Sequence, residues 1–382
     1  MKIVIDKDIP FAEQLFSSLG EVTLVEGRSI TPAVVRDAGM LIVRTVTRVD
    51  QTLLQGSSVG FVGSTTSGVD HIERDYLDRH NISFAHAPGC NARSVAEYLF
   101  SSLCVLADQS GFDLAGKRLG VIGCGHVGGE VLRYAEALGM ETLANDPPLQ
   151  ESSADPVYRD LEELLDADII TLHVPLTSGG AWPTRNLLNG ELLGRLKPDV
   201  ILVNTARGAV VDESALLAAL TRNPAMQLVV DTWGDEPRIN VDLLNRAAIA
   251  TPHIAGYSLD GKLRGSRMVY QQACLHLGVE CRDSMVGEML EKLVAEVPLI
   301  DCEDDMEAIQ MAVLASYDVR SDSAMLRRIM EIEAGGRAEF FDSLRNGYGI
   351  RREFHAMQLR LSAGSESLAG KLTALGFQVT LE

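Results

Sequence analysis

The chain has few cysteines, a shortage of positive charge and no long apolar run, and each scarcity excludes something. Six cysteines among 382 residues show no C-x-x-C pair and no His/Cys spacing suited to a metal. A disulfide framework and a structural zinc are therefore not expected. Cys90, Cys104, Cys124, Cys274, Cys281 and Cys302 lie mostly among apolar neighbours, as free thiols do in a reducing cytoplasm. Lys and Arg number 34 against 53 Asp and Glu, a net charge of −19, which argues against nucleic acid and anionic membrane as partners. An anionic substrate must find a local basic pocket in an otherwise repelling field. No apolar run approaches the ~20 residues needed to span a bilayer. The opening Met1-Lys2-Ile3-Val4-Ile5-Asp6 reads as a strand broken by an acid rather than as a signal peptide. No repeat of solenoid period and no low-complexity tract is present. What remains is an ordinary globular composition, 46% hydrophobic and 23% charged, long enough for two or three domains.

The chain is organised around Lys117 to Glu130. Leu119 to Ile122 is a short apolar strand, and Gly123, Gly125 and Gly128 follow in the G-x-G-x-x-G pattern. Val131 to Gly139 is helical in composition and ends in a stop-type glycine. The first glycine suits a tight strand-to-helix turn, the second lets backbone approach a pyrophosphate, and the third lets helix and strand pack closely. The helix N-terminus supplies free N–H groups and partial positive charge. The next strand, Glu141 to Asn145, ends in Asp146, about 20 residues on, where a carboxylate takes the adenosine ribose hydroxyls. Pro147-Pro148 follow rather than an arginine, which favours NAD over NADP.

Strand and helix alternate on both sides of this unit. Strands are expected at Ile3–Ile5, Val22–Val25, Leu41–Val43, Val59–Gly63 and Ile82–Ala85. Helices are expected at Phe11–Leu19, Pro32–Ala38 and Ile72–Arg79, with a helical turn at Gln51–Leu54. Beyond the glycine unit come strands at Ala167–Leu176, Asp199–Asn204, Met226–Asp231 and Ala248–Ala250. Such alternation implies parallel, doubly wound sheets. The expected fold is α/β: two Rossmann- or flavodoxin-like doubly wound domains plus a small α+β C-terminal dimerisation domain. Residues 1–92 with a returning helix, 257–284, form a substrate-binding lid domain. Residues 93–256 form the NAD-binding domain, and 285–382 the dimerisation domain. That last segment is acidic at its start (Glu288, Glu291, Glu296, Asp301, Glu303, Asp304, Asp305 and Glu307 against Lys292). It carries expected helices at Met306–Ser316 and Ala324–Glu333 and strands at His355–Leu361 and Phe377–Leu381.

Ligands of such sheets sit beyond the carboxyl ends of the strands. In the first domain those ends carry Lys7, Arg28, Arg44-Thr45 and the loop Gly63 to Gly68, so three cations and a hydroxyl-rich loop share one edge. Arg44 is the best placed for a bidentate grip on an anion, whereas Arg93, at a helix start, either faces the cleft or caps a neighbour. In the second domain the strands end at Thr205-Ala206-Arg207-Gly208, at Asp231 through Glu236-Pro237, and at Thr251 to Gly256. Oxidising a 2-hydroxy acid needs a base for the hydroxyl proton and a cation for the carboxylate. His253 suits the base, Glu236 suits its far nitrogen, and Arg207 suits the clamp. His173, at another strand end, lines the nicotinamide edge in this reading, and His126 faces solvent. No metal site is expected.

Val203 to Gly208, Asp231 through Pro237 and Thr251 to Gly256, taken as a set, resemble the signatures of the D-isomer-specific 2-hydroxyacid dehydrogenases over roughly residues 40 to 280. The resemblance implies that Arg207, Glu236 and His253 are catalytic and that Asp146 and Asp231 contact the dinucleotide. With them the NAD site comprises Gly123, Gly125, His126, Val127, Gly128, Thr205, Ala206, Arg207 and Gly256. Arg44 to Thr47, Gly63 to His71, Ala87 to Ala92, Gly256-Tyr257-Ser258 and the acidic extension are similar to a branch acting on a phosphorylated four-carbon acid. That implies oxidation of 4-phospho-D-erythronate to 2-oxo-3-hydroxy-4-phosphobutanoate on the way to pyridoxal 5′-phosphate (vitamin B6), by a cytoplasmic homodimer. Arg44, Thr45, Thr66 and Tyr257 then contact substrate. Thr232 stands where the family usually has Val. The alternatives are a sister enzyme such as 3-phosphoglycerate dehydrogenase or a general D-2-hydroxyacid dehydrogenase. From a different class comes a non-catalytic NAD-sensing binding protein.

Overall fold

The computed structural model describes residues 1–153, 158–282, 295–297, 304–362 and 364–381. Glu288, Glu291, Asp301 and Glu303 of the acidic run, with Lys292 and Cys302, lie outside the described residues. The described chain forms two compact units, Met1–Asn91 with Tyr257–Val294, and Ala92–Gly256 with Ala295–Glu382.

In the first unit five strands, β1 (Lys2–Asp6), β2 (Glu21–Val25), β3 (Met40–Val43), β4 (Phe61–Ser64) and β5 (Ser83–His86), are ordered β2-β1-β3-β4-β5. All neighbouring pairs are parallel, the flavodoxin-like order. Successive side chains feed opposite faces. Ile3, Ile5, Met40 and Ile42 pack with Phe16, Leu263, Val269 and Tyr270 on one face. Val4, Leu41, Val43 and Val62 pack with Val35, Leu54 and Leu77 on the other. Two covered faces explain why these strands read as continuous apolar runs rather than as alternations.

The helix Leu259–Leu277 returns across this sheet. The Ser258 hydroxyl accepts the Gly261 N–H at 2.8 Å and caps its start, while Gly278 ends it at a φ of 66°. Its Gly265 has no room for a side chain, because a Cβ there lies 2.3 Å from the Thr65 carbonyl oxygen.

In the second unit six parallel strands, β6 (Arg118–Ile122), β7 (Glu141–Asn145), β8 (Ile169–Leu172), β9 (Ile201–Asn204), β10 (Gln227–Val230) and β11 (Ile249–Ala250), are ordered β11-β10-β9-β8-β6-β7. The winding reverses between β6 and β8, the switch point where such sheets bind ligands. The long helix Ala92–Ser110 buries nearly its whole length. The C-terminal part of this unit is α+β, with a three-stranded parallel sheet of β12 (Ala295–Glu296), β13 (Met357–Leu361) and β14 (Gln378–Leu381). Leu326, Ile329 and Phe341 from its helices join the core built by β8 to β10.

Where the sequence suggests one helix at Ala324–Glu333, the chain instead makes a helix over Val319–Arg327 and a short 3-10 turn over Arg328–Glu331. The Asp318 carboxylate accepts the Arg320 N–H and sets the earlier start, and Val319, Ser323 and Leu326 supply the buried stripe. Helices at Arg337–Asn346 and Glu366–Ala374 have no counterpart in the sequence reading. The first buries only Phe341, too thin a stripe to register as a period.

Gly265→Ala is expected to lower stability by about 1–3 kcal/mol, because the methyl group meets backbone that cannot swing aside. Urea unfolding checks it; a midpoint equal to wild type means that the helix shifts freely.

Candidate active site

The glycine turn between β6 and the helix His126–Ala137 is built as the motif requires. Gly123 has a φ of +89°, and a Cβ on Gly128 lies 2.0 Å from the Gly123 carbonyl oxygen. A Cβ on Gly125 meets nothing within 4 Å, so that face of the turn is open. An open depression of about 450 Å³ lies there, lined among others by Cys124, Gly125, His126, Gly129 and Leu149. His126 and Val127 stand in the first helical turn, their backbone N–H groups among those no intrahelical carbonyl takes. The Asp146 carboxylate accepts the Cys124 N–H at 2.8 Å and the Leu149 N–H at 3.1 Å, which fixes it beside the turn. Burial, and then Asp146, push the Cys124 thiol up to about 12, so it stays protonated. A dinucleotide therefore fits these residues: open backbone at Gly125, a helix start, and an oriented acid at the end of the next strand.

The three polar clusters follow β9, β10 and β11, which are adjacent and parallel, with Val230 facing both Asn204 and Ala250. Each loop is then locked to the next. The buried Asn204 side chain accepts the Ala206 N–H at 3.1 Å and donates to the Arg207 carbonyl at 3.1 Å, which folds Thr205-Ala206-Arg207 into a tight turn. Gly208 lets that turn lie directly on the next loop, since a Cβ there sits 2.0 Å from the Trp233 carbonyl carbon. The Trp233 indole N–H donates to the Thr251 carbonyl at 3.0 Å and ties the second loop to the third. Arg207 is half-buried, and one of its terminal nitrogens donates to the Ala206 carbonyl at 2.8 Å.

His253 and Glu236 meet across the second and third loops, imidazole Nδ1 to carboxylate Oε2, at 2.7 Å. The carboxylate can only accept, so a neutral His253 carries its proton on Nδ1 and leaves Nε2 as a base. The other Glu236 oxygen accepts the Trp233 N–H at 2.9 Å. Burial alone raises the Glu236 pKa, but the charge and hydrogen bond of His253, the Trp233 N–H and Arg345 outweigh it and hold the group below its ordinary value.

His253 itself has a φ of 58°, left-handed backbone that a side chain rarely adopts. Asp231, 1% exposed, holds it there. The Asp231 backbone carbonyl accepts the His253 N–H at 2.8 Å. Its carboxylate accepts the Thr251 hydroxyl at 2.6 Å and the Ile254 and Ala255 N–H groups at 2.8 and 3.0 Å. Gly256 closes this loop, half-buried. Next to Asp231, Thr232 is buried with its hydroxyl unpaired among the described residues. His173 touches Thr171 at 3.0 Å and Thr205 at 3.3 Å, and burial pushes its imidazole down to about 3, which keeps it neutral.

In the first unit, Arg44 does not present an empty fork. Its Nε and Nη2 bind the fully buried Asp6 carboxylate at 2.9 and 3.1 Å, and Nη2 also reaches Asp8 at 2.6 Å. An external anion must use its remaining edge. Lys7 pairs with Glu26 at 3.9 Å. Thr66 donates to the Gly68 carbonyl at 3.1 Å, Thr45 is exposed, and Tyr257 is half-buried. Sequence reasoning missed Lys262, whose ammonium lies 4.5 Å from the Tyr257 ring centroid and makes no ion pair among the described residues. Burial, then the neighbouring Arg44, lower its pKa. A lysine in a helix reads as solvated; the signal was its position, in the first turn after Thr251–Tyr257.

The family model for the D-isomer-specific 2-hydroxyacid dehydrogenase NAD-binding domain matches residues 101–255, and a domain of unknown function (DUF3410) matches 291–376. Curated erythronate-4-phosphate dehydrogenases from Hahella chejuensis and Marinobacter nauticus are each 43% identical, covering 100% of this chain and 100% of the relative. A D-lactate dehydrogenase of Aquifex aeolicus, solved with NAD and lactic acid, is 27% identical at a TM-score of 0.60, covering 73% of this chain and 96% of that one. An NAD-bound 3-phosphoglycerate dehydrogenase of Entamoeba histolytica is 25% identical at 0.62, covering 73% and 95%.

Glu236 contributes stability that is present above the ordinary carboxylate pKa, about 4.3, and is lost as pH falls through its lowered folded value. Relative to Glu236→Gln, the wild type is therefore expected to lose stability as pH drops from 5 toward 3, read by thermal unfolding. A difference that does not change with pH overturns the ion pair. The same variant is expected to lower turnover by about 10²–10⁴-fold.

Proposed function

The chain belongs to the erythronate-4-phosphate dehydrogenases, NAD-dependent members of the D-isomer-specific 2-hydroxyacid dehydrogenases, and we propose that it oxidises 4-phospho-D-erythronate to 2-oxo-3-hydroxy-4-phosphobutanoate. NAD, when bound, accepts the hydride that leaves C2. His253 Nε2 takes the C2 hydroxyl proton, and Glu236 orients the imidazole and stabilises its charged form. Arg207 holds the carboxylate and polarises the carbinol oxygen. The remaining edge of Arg44, together with Lys262, offers positive charge to the distal phosphate. Thr45, Thr66 and Tyr257 add polar substrate contacts. Thr205, Ala206, Asp231 and Gly256, with the glycine turn and Asp146, shape the dinucleotide site.

The observation that carries this reading is the 2.7 Å contact between His253 and Glu236, set on strand ends beside the Arg207 turn. The full-length likeness to erythronate-4-phosphate dehydrogenases favours the four-carbon phosphate over the substrates of the more distant lactate and phosphoglycerate enzymes. We place the reaction on the route to pyridoxal 5′-phosphate, in the cytoplasm. The thiols of Cys104, Cys124 and Cys274 agree with a reducing compartment. No helix among the described residues is long and apolar enough to cross a membrane. We further propose a homodimer formed through the C-terminal domain, residues 285–382, in which Met311, Met325, Met330 and Ile350 are exposed.

Incubated with NAD, the protein is expected to reduce it with 4-phospho-D-erythronate and not with D-lactate, D-glycerate or 3-phosphoglycerate, followed by nicotinamide absorbance. Reduction with 3-phosphoglycerate instead moves the chain to the sister activity. No reduction despite demonstrated NAD binding favours a sensor. His253→Ala is expected to lose turnover yet keep NAD. Lys262→Met is expected to raise KM for the phosphorylated substrate about tenfold or more, and an unchanged KM removes Lys262 from the phosphate site. Sedimentation is expected to give twice the 41.4 kDa chain mass; a single-chain mass overturns the dimer.

A further inference from the structure

The C-terminal part of the chain reaches the loop that carries His253. Arg351, 5% exposed, donates from one terminal nitrogen to the Ala255 carbonyl at 3.0 Å and from the other to the Ser94 carbonyl at 2.6 Å. Ala255 is two residues from His253, in the turn whose left-handed residue the chemistry needs. The guanidinium stacks 3.7 Å from the Tyr317 ring centroid, with Glu97 at 3.8 Å.

Burying a guanidinium is expensive, and apolar side chains of similar volume join two surfaces at least as well. A fork that spends two donors on two carbonyls from different elements fixes the distance between those elements. One carbonyl belongs to the helix Ala92–Ser110, the other to the His253 loop. The same helix holds the opposite end of the loop, since the Tyr98 hydroxyl lies 2.7 Å from the Thr251 hydroxyl. The helix is thus tied to both ends of the loop, and Arg351 makes one of those two ties.

We propose that Arg351 is a positioning residue for the active-site loop: by tying the Ala255 carbonyl to the Ser94 carbonyl it sets the turn from which His253 works. This gives residues 295–381 a part in turnover besides any part in assembly, and it rests on His253 being the base.

Arg327 provides a matched control. It too is an arginine of the C-terminal part, and its terminal nitrogens bind the Leu244 and Ala247 carbonyls at 3.2 and 2.6 Å, away from residues 251–256. The full-length protein is compared as wild type, Arg351→Lys, Arg351→Met and Arg327→Met. Arg351→Lys keeps the buried charge, and so the fold, but a single ammonium does not span both carbonyls. Two quantities are read: hydrogen exchange of a peptide covering residues 251–256, and kcat alongside the dissociation constant for NAD. Arg351→Lys is expected to speed exchange in that peptide and to lower kcat roughly tenfold, with NAD affinity within about twofold of wild type. Arg351→Met is expected to lower kcat about 100-fold, the scale of a small misplacement of a reacting group. Arg327→Met is expected to lower the melting temperature without either change. Equal exchange and equal kcat in Arg351→Lys and Arg327→Met overturn the proposal. A wild type that turns over none of the hydroxy acids refutes the proposed activity instead, and the exchange comparison still decides whether Arg351 holds the loop.

Discussion

The site depends on the carboxylate of Asp231 more than on any other group. It is almost wholly buried, and among the described residues its hydrogen bonds go to the loop after β11: a hydroxyl at Thr251 and backbone N–H groups at Ile254 and Ala255. A charged acceptor gathering three donors is a strong local constraint in a low-dielectric interior. It bends Thr251 to Ala255 tightly enough that His253, at the middle of the five, takes left-handed backbone. Glu236 and the imidazole then meet, and the Trp233 indole secures the loop from the side. Remove the acid and three polar groups lose their partner at once.

Parallel strand order does the rest. Because β9, β10 and β11 are neighbours and run the same way, residues far apart in sequence emerge at one edge. Only then do small details matter, such as the absent side chain of Gly208 that lets two loops touch, and the Asn204 amide that closes the Arg207 turn.

Much of this was legible in the sequence for one reason: doubly wound sheets translate chain order into spatial order. Apolar runs gave the strands, and the residue after each run gave the edge. The glycine turn was readable because its backbone geometry is one that few residues allow, and the place of Asp146 because it stands at the end of the next strand. What escaped were features set by long-range packing. The fork of Arg44 reads as available until Asp6, on a neighbouring strand, is seen to occupy it. Lys262 looks like a solvated helical lysine until the Tyr257 ring and Arg44 are placed beside it. Arg351, nearly a hundred residues beyond His253, carries no local signal at all, since only the fold brings it to Ala255. Thin helical stripes such as that of Arg337–Asn346 failed for a similar reason, a single buried aromatic being no period.

The backbone of His253 has an evolutionary corollary. Left-handed geometry costs an ordinary residue roughly 1–2 kcal/mol, a penalty from which glycine is exempt and asparagine partly so. Selection for folding alone would thus drift this codon toward glycine. A saturation library at position 253 sorted only by abundance in cells should enrich glycine and asparagine, whereas the same library sorted by growth that depends on the cell making the reaction product should return histidine. The gap between the two enrichments measures how much fold stability the chain gives up to keep an imidazole in that turn.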